Sequence, residues 1–404
     1  MHRGGEQSLG DGILRRWEGL PAVELPAPVL DVLDRLAAEG YQAYVVGGAP
    51  RNLLWNVPVL DWDLATDAPL HRLQAWYPGP HPGLRFGAVR VGPHIDLTVL
   101  RKDLAYADGR HPEGIRPVPG IEEDLARRDF TVNAVAFNRQ GVWSVEGALP
   151  DLAYRIWRTV GNPEEKFRQD ALRVVRLARL AMTYGGSLEP ETLAAARAEC
   201  PRVRMAVSRE RLWDELWQMM AADDWTAYDQ VGLDTVYGRA GRRQPAWPRP
   251  QTAEARVLYW LMEEGSDSLD AALSWIGEWP IPRQQRVRLT AAARILWGRP
   301  DLERIAVMAR LPGPASMILA DVARSAGYAR SLQPVHPVLT AVDLMTGWSL
   351  QGARLGQALT AMQTFVAEDP DRNQPSTLAQ WLDAWLAATP SQPGHPVGRG
   401  GSAH

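Results

Sequence analysis

At 404 residues, 46% hydrophobic and 23% charged, the chain is long enough for two or more domains and has a globular rather than a disordered composition. A formal net charge of −3 excludes a uniformly basic nucleic-acid coat while leaving room for a local basic face. The single Cys200 excludes an intramolecular disulfide, and no Cys/His cluster exists to hold a structural zinc. Lys102 and Lys166 are the only lysines among many arginines. The opening MHRGGEQSLGDG carries no apolar core, and no apolar run reaches the length of a membrane span. A cytoplasmic protein with no membrane partner is expected.

In chain order, residues 1–23 read as a loose polar arm. Pro26 to Ala38 reads as a helix, with Val29, Leu30, Val32, Leu33, Leu36 and Ala37 on one face and Gly40 at its end. Strands are predicted at Ala43–Val46, Trp62–Ala65, Ala88–Val91 and Ile95–Leu100. From Leu152 onward the helical period dominates, with proline-rich breaks at Gln244–Pro250, Pro280–Arg283 and Gln333–Pro337. The end, from Ala388, is rich in Pro, Gly and Ser and reads as disordered. The fold class expected is α+β, a mixed head on an all-helical remainder.

The stretch Tyr41–Thr66, YQAYVVGGAPRNLLWNVPVLDWDLAT, concentrates the chemistry. Asp61 and Asp63, one residue apart on a strand, share a face. Two carboxylates held that close call for a cation, and hard oxygen ligands favour Mg²⁺. Gly47 and Gly48 allow backbone N–H groups to approach an anion without Cβ obstruction. The strand His94–Leu100 puts Asp96 on one face. Beside Asp61 and Asp63 it would be a third carboxylate able to take a proton or steady a second metal; alone, it reads as a solvent-facing acid.

Arg101–Gly120 is a polar, turn-rich segment longer than an ordinary connection. It leads into Arg127-Arg128-Asp129, where arginines can clamp phosphate and the acid can accept from a ribose hydroxyl, or where three charges make a solvated corner. Asn162–Thr183 reads as one amphipathic helix on the stripe Val174, Leu177, Ala178 and Ala181. Asp170, Arg173, Arg176 and Arg179 follow it at three-residue steps. Asp170 and Arg173 make either a plain ion pair or an acceptor and donor fork able to read a base edge.

The order of these segments resembles the class II tRNA nucleotidyltransferases, the CCA-adding enzymes and bacterial poly(A) polymerases. GGAPRN at 47–52 is similar to that family's GGxVRD, DWDLAT to its DxD segment, LARRDFTVNAVAFN to its RRDFTxNA segment, RQDALRVVRLARLA to its EDxxR helix and VSRERLWDEL at 207–216 to the close of its neck. A weaker echo, LTAVDLMTGWSLQGARLGQAL at 339–359, resembles its C-terminal DL…G…G pattern. The resemblance implies a nucleotidyltransferase head at 24–150, a helical neck at 151–216, a body at 217–332, a tail at 333–387 and a disordered end at 388–404.

For activity, the resemblance implies template-independent addition of CCA to the tRNA 3′ end, with CTP and ATP as donors and Mg²⁺ as cofactor. Asp61 and Asp63 would hold metal, with Asp96 as the third catalytic acid. Gly47, Gly48 and Arg51 would meet nucleotide, Arg128 and Asp129 its sugar or phosphate, Asp170 and Arg173 its base, and Arg176 and Arg179 the triphosphate. Asn52 replaces the family's Asp, Gln169 its Glu, and Ser144 stands where an Asp is expected; Gln169 can still orient Arg173 through its carbonyl oxygen. An A-adding enzyme, a poly(A) polymerase and a catalytically impaired RNA-binding homologue are the alternatives.

Overall fold

The computed structural model describes residues 8–9, 14–17, 25–103, 115–239, 250–263, 268–297, 302–326, 328 and 331–389. The chain divides into two compact units, Met1–Arg242 and Arg243–His404.

The first unit begins with β1 (Ser8–Leu9), β2 (Leu14–Trp17), α1 (Ala27–Ala38), β3 (Ala43–Val46) and α2 (Gly48–Leu54). It continues through β4 (Trp62–Thr66), α3 (Leu70–Trp76), β5 (Ala88–Gly92) and β6 (Ile95–Val99). Next come β7 (Arg101–Asp103), β8 (Ile115–Pro117), α4 (Ile121–Ala126), β9 (Val135–Asn138), β10 (Gly141–Val145), α5 (Ala148–Tyr154) and β11 (Ile156–Trp157). The helical part comprises α6 (Pro163–Gln169), α7 (Leu172–Tyr184), α8 (Pro190–Ala206), α9 (Arg209–Met219), α10 (Thr226–Val231) and α11 (Asp234–Tyr237), with the short β12 (Ser187–Leu188) paired parallel to β11.

Eight strands form one sheet in the order β1-β2-β10-β9-β3-β4-β6-β5. Within this sheet, among the described residues, only the β4–β6 pair is parallel, because the chain leaves β4, crosses through α3 and β5 and returns beside it. The apolar face of α1 (Val29, Val32, Leu33, Leu36) is buried, as its spacing requires. The strands predicted at 43–46, 62–65, 88–91 and 95–100 are found within a residue or so.

Two expectations need correction. The arm at 1–23 is not wholly loose: β1 and β2 extend the sheet beyond β10, giving that strand's free backbone groups a partner. The helix expected over 162–183 is two helices, α6 and α7. Asp170 between them is extended (φ −144°, ψ 102°), and its Oδ1 accepts the Leu172 N–H at 3.1 Å. A local side-chain acceptor of this kind competes with the helical ladder and restarts it two residues on.

The second unit contains α12 (Ala253–Glu263), α13 (Leu269–Glu278), α14 (Arg283–Leu296), α15 (Leu302–Arg310), α16 (Ser316–Ser325), α17 (Ala341–Gly347), α18 (Gly352–Glu368) and α19 (Pro375–Ala388), with no strand among its described residues. The breaks at 280–283 and 333–337 separate helices as read; most of 244–250 and the end from 390 lie outside the described residues. Leu344, Leu350, Ala358, Met362, Val366, Leu378 and Leu382 form a core here. Thr340 and Asp343 make a reciprocal capping box at the start of α17, which gives the acid of the 339–359 echo a structural task. Among the described residues no helix is long and apolar enough to cross a membrane.

Candidate active site

The acids meet through strand pairing. In the antiparallel β3–β4 ladder Val46 faces Asp63, and in the parallel β4–β6 ladder Asp63 faces Asp96. Asp61 lies one residue before β4. The turn leaving β3 brings Gly47 (φ 74°) against Asp63, and a Cβ on Gly47 would sit 2.6 Å from Asp63 Oδ2. Only glycine fits both the backbone angle and the space. Asp96 is gripped by Arg90 through Nε at 2.6 Å and NH2 at 2.9 Å, while Asp61 Oδ1 lies 2.9 Å from His94 Nδ1.

The Asp63 carboxylate is open to solvent on one side, yet the dense protein around it desolvates it and raises its pKa; Asp96 and Asp61 add to the rise, against Arg128 and Arg176. Among the described residues no three His, Cys, Asp or Glu side chains already converge into a metal cage. The set still fits a divalent cation, because it offers hard oxygens and, at Asp63, a carboxylate whose charge Arg128 and Arg176 offset only in part.

The second group of charges is built around α4. Asp124, buried, accepts from Arg127 (Nε 3.0 Å, NH2 2.7 Å) and from Arg128 (NH2 2.9 Å). Burial alone would raise its pKa, but Arg128 and Arg127 outweigh that and hold it low. Arg128 thus stands between Asp124 and the field of Asp63, and its buried Nε has no hydrogen-bond partner among the described residues. Asp129 Oδ1 accepts from the Phe130 N–H at 2.8 Å and Asn133 Nδ2 at 3.0 Å, and Oδ2 accepts from Arg176 Nε at 3.0 Å and NH2 at 2.7 Å. Burial opposes ionisation here too, yet Arg176, with the Asn133 bond, holds the carboxyl far below its usual range. Glu215 of α9 lies 3.8 Å from Arg176 NH1 and accepts from Arg179 Nε.

Asp170 and Arg173 do not pair. Asp170 Oδ2 accepts from Arg211 at 3.2 Å. Arg173, 7% exposed, donates to the carbonyls of Lys166 (3.1 Å) and Arg127 (3.2 Å) and to Gln169 Oε1 at 3.2 Å. Gln169 therefore orients Arg173, as its carbonyl oxygen allows. Lys166 Nζ donates to the carbonyls of Ala126 (2.6 Å) and Arg128 (3.2 Å), so cationic side chains of α6 and α7 cap three successive carbonyls where α4 ends.

Arg51 differs most from expectation. It is 3% exposed, and its Nε and NH2 donate to Asn52 Oδ1 at 3.2 and 2.8 Å. NH1 donates to Asn133 Oδ1, and the guanidinium lies 4.1 Å from the centre of the Tyr184 ring. In this arrangement Arg51 is engaged inside the protein by Asn52 and Asn133. Gly48 opens α2 and lies close to the same guanidinium. The segment expected to be a long element at 101–120 is represented by the antiparallel β7–β8 ladder, and 104–114 lie outside the described residues.

Residue-by-residue reading missed Arg90, Asp124, Asn133, Arg211 and Glu215. The last three sit inside segments already singled out, and the signal for them was a polar side chain within an otherwise apolar or helical run.

The family model for the Poly A polymerase head domain matches residues 43–156. A CCA-adding enzyme of Geobacillus thermodenitrificans is 32% identical over 331 residues, covering 77% of this chain and 78% of that enzyme. By structure the chain is similar to the Bacillus stearothermophilus CCA-adding enzyme in complex with CTP (TM-score 0.69, 23% identity, 90% of this chain and 99% of that one). It is also similar to the Thermotoga maritima CCA-adding enzyme complexed with tRNA (TM-score 0.56, 15% identity, 89% and 96%).

Proposed function

Because this chain belongs to the CCA-adding enzyme family, a family of nucleotidyltransferases, we infer that it extends the tRNA 3′ end with C, C and A, using CTP and ATP. The observation that carries this reading is the parallel β4–β6 register, which sets Asp63 beside Asp96 with Asp61 adjacent and the charge of Arg128 acting on Asp63. Divalent-metal dependence goes with the family. We assign the ion as Mg²⁺, held by Asp61 and Asp63, where it would lower the pKa of the attacking hydroxyl and neutralise charge on the phosphates.

The protein's own groups do the rest. Asp96, once released by Arg90, accepts the proton of the tRNA 3′ hydroxyl. That oxygen bonds to the α-phosphorus and the bond to pyrophosphate breaks. In this reading Arg128 and Arg176 meet phosphate, Asp129 meets the nucleotide's sugar, and Arg173 and Asp170 face the base after exchanging their present partners. Helical neck, body and tail regions at 151–216, 217–332 and 333–387 belong to the same reading, as does a cytoplasmic place of action.

The test is incorporation of labelled CTP and ATP, with Mg²⁺, into tRNAs ending before CCA, after one C and after CC. Completion on all three is the expected result. ATP addition to the CC-ending tRNA alone would make this an A-adding enzyme, and repeated ATP addition a poly(A) polymerase.

A further inference from the structure

Asn133 sits between two groups whose chemistry leaves it one orientation. Arg51 has only donors and a carboxylate has only acceptors, so the amide must turn its oxygen to Arg51 NH1 and its nitrogen to Asp129 Oδ1, as observed. Arg51 is itself fixed, by two bonds to Asn52 Oδ1 and by the rings of Tyr184, Trp55 and Trp157 at 4.1, 5.6 and 5.8 Å. Asn52 is fixed in turn, since its Nδ2 donates to the Pro58 carbonyl at 3.2 Å.

We propose that Arg51 and Asn133 are positioning residues for Asp129, forming a guanidinium–amide–carboxylate chain that decides which oxygen of Asp129 serves the sugar of the bound nucleotide. This rests on the reading of Asp129 as the acid that meets the sugar. Oδ1 is saturated by the Phe130 N–H and Asn133. Oδ2 is held by Arg176, whose side chain is 35% exposed and has Glu215 as a second acceptor 3.8 Å away. Oδ2 is the oxygen that can be exchanged, and Arg176 the partner that gives way.

The experiment compares kcat/KM for ATP and for 2′-deoxyATP on a CC-ending tRNA, with thermal unfolding of each variant alongside. Asp129→Ala should erase the preference for the ribonucleotide. Asn133→Asp keeps an acceptor for Arg51 but repels Asp129 and offers it no donor, so it should lower the ribo-over-deoxy ratio about tenfold, the order expected for one charged hydrogen bond. Any general effect of the added charge on triphosphate binding cancels in the ratio. In an Asp129→Ala background Asn133→Asp should change the ratio no further.

Arg51→Lys should act in the same direction as Asn133→Asp and serves, with Asn133→Ser, if that variant fails to fold. Equal losses on both nucleotides, with the ratio kept, would overturn the positioning role while Asp129→Ala still erased the preference. A preference surviving Asp129→Ala would overturn the sugar reading and the proposal together.

Discussion

Asp63 carries the clearest residue-scale consequence. Its pKa is raised, so the ionised carboxylate costs the folded metal-free protein stability above the ordinary aspartate pKa of about 3.9, and that cost disappears as pH falls below it. Asp63→Asn should therefore raise the metal-free melting temperature at pH 7, with the gain shrinking towards pH 4. Added Mg²⁺ should stabilise the natural protein, by about 2.7 kcal/mol at a hundred times its dissociation constant, and leave the variant unmoved. Calorimetry with and without chelator reads both effects. Replacing Asp61 and Asp63 together by Ala should abolish nucleotide transfer while far-ultraviolet circular dichroism stays unchanged. At the turn before these acids, Gly47→Ala combines a disfavoured φ with a clash at Asp63 Oδ2, and should cost at least 1 kcal/mol and most of the activity. Urea unfolding and a transfer assay separate the two losses.

At the scale of elements, the break between α6 and α7 does what a continuous helix could not. It takes Asp170 out of the helical ladder, lets its side chain cap α7 and turns its second oxygen to Arg211 on α9. Asp170→Ala should cost about 1 kcal/mol, the usual worth of such a cap, and a larger fraction of activity, which paired unfolding and kinetic measurements would show. The same two helices lend Lys166 and Arg173 to the end of α4, so the arginine pair at 127–128 is placed by its backbone carbonyls as well as by the ion pairs of both side chains with Asp124. Strand positions and the amphipathic face of α1 were legible because alternation and the 3.6-residue period are local properties. The helix break was not legible, since Asp170 shares helical spacing with Arg173 and only its hydrogen bond to Leu172 distinguishes a cap from a surface acid.

For the whole molecule, a net charge of −3 means that tRNA binding must draw on local basic surface, such as the modest excess of arginine over acid between residues 151 and 213. Affinity for tRNA should fall with salt, with a log–log slope of roughly one per phosphate neutralised; filter binding from low to high salt measures it, and a flat line would remove electrostatics from the interface.

The order of motifs, the apolar periodicities and the spacing of Asp61 and Asp63 are properties of the sequence by itself, because each depends on residues within a few positions of one another. Only the tertiary structure decided that Asp96 stands beside Asp63, that Asp170 pairs with Arg211 rather than Arg173, that Glu215 gathers Arg176 and Arg179, and that Arg51 faces Asn133 inside the protein. The 44 basic and 47 acidic side chains of the sequence admit more pairings than any local rule can choose between. Which donor meets which acceptor is settled by strand register and by the backbone carbonyls that compete for those donors once distant segments are packed together.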